Sequence, residues 1–202
     1  NIIEQNFPYS AWGKKYLIAP TSNSSSASSF HTNIFRVAVK NPATVVRRNG
    51  VPLTGLVNNF YYQFESNTAD VIEADQPIIV AQIMASSTYC PNTSGGDDPA
   101  MVYVSPVEQG IKRTGMYRNT QSAITTQYLT LIVPTAGLAS LSIDGGTYDH
   151  TYAHNEPGYS VAVKRWSPAT NAQVIVECDS AFTAITYGLG SVESYANNAG
   201  TL

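Results

Sequence analysis

Hydrophobic and polar residues alternate along most of this chain. In residues 34–40, Phe35, Val37 and Val39 alternate with Ile34, Arg36, Ala38 and Lys40, which is the pattern of a half-buried strand. Residues 61–64, 78–84, 101–104, 128–133, 138–143, 159–165, 173–178 and 181–187 behave in the same way. In VIVECDS the alternation puts Val174, Val176 and Cys178 on one, inward face and Ile175 and Glu177 on the other. No stretch combines helical spacing with helix caps, although residues 4–16 and 106–118 have room for a short helical turn. The serine-rich stretch 24–29 and SGGDDP at 94–99 read as flexible loops.

The turns carry a second pattern. Asn49-Gly50 and Asp144-Gly145 supply the positive φ values of a tight hairpin, and they fall at matching places in two repeated blocks. FPYSAWGKKYLIAP (7–20) is answered by VSPVEQGIKRTGMY (104–117), with Pro8 and Gly13 opposite Pro106 and Gly110. Residues 34–50 are answered by 128–145, and residues 60–85 by 159–188. Three segments recurring in one order predict a duplicated domain rather than a solenoid. The expected fold is all-β: two similar antiparallel β-sandwich-like halves, residues 1–100 and 101–202, packed closely on each other.

Composition narrows the class further. Only 12% of the 202 residues are charged, and 13 Tyr stand against 6 Phe, so Ser, Thr, Asn, Gln and Tyr must build the polar surface. Extracellular or cell-surface β proteins commonly look like this. A net charge of −3, with Lys14-Lys15 and Arg47-Arg48 as isolated pairs, argues against nucleic acid as a partner. No apolar run approaches the ~20 residues a membrane helix needs. Asn1 is not an initiator Met, and the chain reads as a segment of something longer.

Candidate chemistry is sparse. The densest group of rings beside polar side chains is Tyr148, Asp149, His150, Tyr152, His154 and Trp166, the kind of place where a sugar stacks and hydrogen-bonds. The same residues also describe a tyrosine-rich sheet edge. The four-residue spacing of His150 and His154 would suit a zinc site on a helix, but DGGTYDHTYAHNEPG has no helical periodicity. Asp97 and Asp98 offer oxygens to Ca²⁺, though fewer than the about six to eight it requires; no other cofactor is indicated. Cys90 and Cys178 permit one bridge, or a buried thiol plus a loop thiol. No nucleophile elbow, zinc-protease motif or phosphate loop is present, and nothing selects two of the fourteen carboxylates as a glycosidase pair.

ADQPIIVAQIMASSTYCPNTSGGDDPAMVYVSPVEQGIKR contains Asp75, Pro77, Ile78 and Val80, then Cys90 and Asp97, then Pro106, Val107 and Gly110. This run resembles the N-terminal domain of the IgG-Fc-binding protein of mucus. The ending DSAFTAITYGLGSVESYANNAGT resembles a bacterial branch of that family, found in large secreted adhesin-like surface proteins. The second loop cysteine of the mucus protein is missing here, so the resemblance carries no local bridge. It implies a non-enzymatic recognition or adhesion module for a glycan or glycoprotein, flanked by neighbouring domains of one long chain. A structural spacer without a ligand is the alternative, and a carbohydrate-active enzyme ranks third.

Overall fold

The computed structural model describes residues 4–86, 98–121 and 123–199. The first half contributes β1 (Gly13–Ile18), β2 (Asn33–Val39), β3 (Val46–Arg48), β4 (Val51–Pro52), β5 (Tyr61–Ser66), β6 (Asp70–Met84) and, from just past the expected boundary at residue 100, β7 (Met101–Tyr103), which pairs with β6. The second contributes β8 (Ile111–Arg118), β9 (Ile124–Pro134), β10 (Ser142–Ile143), β11 (His150–Ala153), β12 (Tyr159–Trp166), β13 (Ala172–Gly190) and β14 (Glu193–Asn198). They form two antiparallel sheets of seven strands, one per half.

One pairing scheme occurs twice. The first part of β6 pairs with β1 and β3, its later part with β2 and β7, and β5 flanks β2. Correspondingly, β13 pairs first with β8 and β10, then with β9 and β14, and β12 flanks β9. Each long strand thereby serves both leaves of a sandwich-like half. Short 3₁₀ turns, Tyr9–Ala11 and Val107–Gln109, follow Pro8 and Pro106, so the helical turn expected in each of those segments is a single turn before a strand.

The hairpins explain why the register repeats. Asn49 and Gly50 have φ of 49° and 81°, and Asp144 and Gly145 have 51° and 74°. Asn and Asp tolerate this left-handed region because their short side chains bond locally. Asn49 N–H donates to Val71 O at 2.9 Å, and Val71 N–H donates back to Asn49 Oδ1 at 2.9 Å. Asp144 does the same with Ile175, at 2.9 and 2.8 Å. Each turn residue extends its ladder by one backbone and one side-chain bond.

Three expectations change. The strand expected at 78–84 begins at Asp70, since the polar positions Glu73, Asp75 and Gln76 lie in a half-exposed stretch whose ladder partners hold it extended. The two strands expected at 173–178 and 181–187 are one continuous β13, with a register shift between Glu177 and Phe182. Of residues 138–143 only Ser142–Ile143 is strand. A 3₁₀ turn, Thr135–Ala139, precedes it, and Gly137 packs there so closely that a Cβ would come within 2.8 Å of the Ser180 Cβ. Val174, Val176 and Cys178 are buried on one face as the alternation indicates, with Glu177 exposed.

Two cores organise the molecule. One lies inside the second half and includes Leu129, Leu131, Val133, Ala162, Val174, Val176 and Phe182. The other joins Tyr16, Leu17, Ile18, Phe35, Val37 and Ile72 of the first half to Tyr128, Ile132, Val161, Val163, Ile185 and Tyr187 of the second. Residues 128–133 of β9 and 160–163 of β12 are therefore buried on both faces, where the alternation pointed to half-burial. Tyr128 and Tyr187 stack at 5.1 Å and 16°. Burying one such ring removes roughly 150–250 Å² from water, on the order of 4–6 kcal/mol as an upper bound.

Both hydroxyls reach the serine-rich loop. Tyr128 donates to Asn23 O at 2.6 Å, and Ser22 N–H donates to Tyr187 Oη at 2.6 Å. Arg165 Nη2 donates to Ser24 O at 3.0 Å. Composition alone made residues 24–29 a flexible loop; these bonds hold its start against the second half, and the Ser22–Phe30 bridge closes the segment on itself.

Candidate functional site

The ring cluster singled out in the sequence is divided by the sheet. His150 and Tyr152 lie on edge strand β11, on the side turned to the first half, where Phe30 joins them. Phe30 and Tyr152 are 5.0 Å apart between centroids, and His150 and Tyr152 are 5.7 Å apart. Tyr148 and Trp166 pack instead against the internal core of the second half, with the Arg118 guanidinium 4.3 Å from the Trp166 ring. Asp149 ties strand ends together, accepting from Lys164 Nζ at 3.0 Å and from the Arg165 N–H at 2.6 Å. The six residues do not converge on one surface. Tyr152 packs against the shared core with its hydroxyl buried and unpartnered, and burial pushes that hydroxyl's pKa up.

His154 belongs to the joint between the halves. Its Nδ1 accepts the Glu156 N–H at 2.9 Å, so Nε2 carries the proton and donates to Ile18 O at 3.1 Å. Burial lowers its pKa, outweighing the Ile18 carbonyl and the nearby Asp70 and Glu156 charges. Asn155 N–H donates to Ala69 O, and its amide reaches Asp70 Oδ1 at 3.3 Å. Lys15 bridges Glu156 at 2.8 Å and Glu73 at 3.1 Å.

Asp70 is the most enclosed carboxylate of this region, with 1% of its side chain exposed. Burial alone would raise its pKa. Hydrogen bonds from Ser66, Asn49 and Thr68, together with the Arg48 charge, outweigh that and hold it below the usual range. Its oxygens are saturated by the protein, so it fixes the Asn49-Gly50 hairpin rather than offering itself to a ligand.

Asp97 and Cys90 lie outside the described residues. Asp98 is exposed, and its carbonyl accepts the Ser194 hydroxyl. Among the described residues no three His, Cys, Asp or Glu side chains gather as metal ligands. Cys178 is a buried free thiol that donates to Gly137 O at 3.3 Å.

Sequence reasoning passed over one surface. Tyr9, Val57 and Phe60 are 42%, 36% and 53% exposed. Lys40 Nζ lies 4.3 Å from the Tyr9 ring, and Arg36 Cζ lies 5.2 Å from the Tyr61 ring. Val39 N–H donates to Phe60 O at 2.9 Å, and Val57 bridges Tyr61, so these groups share one end of the first half. The available signal was the contrast between copies: VNNF at 57–60 stands where the second copy has PGYS.

The fold defines a duplicated β-sandwich-like module. A family model described as IgGFc binding protein matches residues 1–188, and the chain belongs to that family. No curated protein and no solved structure matches it. No helix among the described residues is long and apolar enough to cross a membrane.

Proposed function

We propose that this chain is a non-enzymatic recognition module of an extracellular surface protein, and that its ligand is a glycoprotein. Membership of a family named for binding an immunoglobulin fragment carries the reading. The exposed aromatic and aliphatic side chains at one end of the first half support it, because loops held by a rigid scaffold are where binding residues concentrate. The Phe30–His150–Tyr152 ring group at the joint is the remaining glycan candidate. One observation favours the spacer reading: a core shared between the halves makes a stiff unit suited to a stalk.

Binding to mucin glycoproteins, a glycan array and immunoglobulin G Fc, each with and without EDTA, separates these readings. Binding to at least one class is expected. Silence in every arm would favour the spacer, and EDTA-sensitive binding would reveal a divalent-cation requirement for which Asp97 and Asp98 are the candidate ligands.

A further inference from the structure

The connection that enters one particular strand has opposite fates in the two copies. Ahead of β12, residues 154–158 grip the first half through His154, Asn155 and Glu156. Tyr61, opposite Ala38, occupies the place of Val161, opposite Ile132. Residues 54–58 are thus the counterpart of 154–158, and Asn58 at φ 51° matches Gly158 at φ 82°. In the first copy, no hydrogen bond or ion pair among the described residues ties 54–58 to the second half. The connection leads to exposed Val57 and Phe60, past two asparagines held in the left-handed region.

Two of the rings at this end carry a cation on their face. Arg36 and Lys40 lie over the Tyr61 and Tyr9 rings, and neither forms an ion pair among the described residues; Arg36 donates to Gln63 instead, at 2.9 Å. A cation on an aromatic face keeps its attraction for an anion from outside, and Tyr, Phe and Arg are enriched among anchors of protein interfaces. In a chain of net charge −3, a cationic aromatic end is a local inversion.

We propose that this end of the first copy is the protein-docking surface of the module. Its partner is a polypeptide surface that seats an apolar side chain among Tyr9, Val57 and Phe60 and presents carboxylates to Lys40 and Arg36. The inference rests on the recognition reading and gives it a location and a chemistry.

The test measures binding of intact mucin, and of the same mucin chemically deglycosylated, to the whole chain at low and at moderate salt. Both forms bind, affinity falls as salt rises, and Phe60→Ala and Lys40→Glu each weaken binding at least tenfold. Trp166→Ala stays within twofold, and unchanged melting of the Phe60 and Lys40 variants shows that folding is not the cause. Binding that survives both variants would overturn this surface while leaving the recognition reading standing. Binding lost with the glycans would overturn the polypeptide chemistry, and no binding by either form would overturn both the surface and its premise.

Discussion

The two copies share a scaffold and differ in what covers its outer sheet. In the second copy, Thr130, Ile132, Val161 and Val163 face the first half and are buried. The same register places Arg36, Ala38, Tyr61 and Gln63 on the first copy's equivalent face, where Arg36 and Gln63 meet solvent. On the opposing side, Leu17, opposite Val71, is buried in the joint, whereas its counterpart Gly115, opposite Ile175, is exposed. One pairing scheme thus supports a buried joint in one place and a polar surface in the other. Side-chain choice on a single face decides between them.

The largest contrast should come from Tyr128 and Ile34, which occupy equivalent places. Tyr128→Ala should lower unfolding free energy by about 3–5 kcal/mol, and Ile34→Ala by less than about 1 kcal/mol, in urea titrations. Equal costs would break the comparison.

Asp70 and its counterpart Val174 come next. Asp70→Ala strands Arg48, Ser66, Thr68 and Asn49 and should cost about 3 kcal/mol. Because its folded pKa is depressed, the Asp70 contribution is present above the unfolded value of about 3.9 and disappears as pH falls through the lower folded value. His154 acts at milder acidity. Its folded pKa is also lowered, so below about 6.5 the unfolded chain takes up the proton first and stability declines with pH. Melting temperatures between pH 7 and 5 should fall less steeply for His154→Gln than for the parent chain. Parallel slopes would remove His154 from the joint's acid response.

The matched turns offer a finer test. Asn49→Ala should cost about 2 kcal/mol and Asp144→Ala about 1 kcal/mol, because Asn49 also donates to Asp70. The smallest effect should separate the equivalent ion pairs. Removing Arg113, exposed with Glu177, should change stability by less than about 0.5 kcal/mol, and removing Lys15, which bridges two glutamates, by only slightly more.

Much of this architecture was legible in the residues. Asn49-Gly50 and Asp144-Gly145 announced both hairpins, and the alternation around Phe35 and Val176 gave the inward faces. What escaped depended on contacts distant in sequence. Nothing local marks Ser22–Ser24 as a docked segment, because Tyr128, Tyr187 and Arg165 hold it from more than a hundred residues away. His154 and Trp166 looked like one ring patch because they are near in sequence. His154 serves the joint and Trp166 the core of its own half. No local motif marks the exposed end with Phe60, where Val57 and Phe60 stand at the places of Pro157 and Ser160.

The central claim is that the second copy's outer sheet face and the first half share one core, so that the halves stabilise each other. Differential scanning calorimetry of the whole chain tests this most directly. One transition, with calorimetric and van't Hoff enthalpies equal and shifted as a unit by Tyr128→Ala, is the expected result. Two resolved transitions, only one of which moves in the variant, would contradict it.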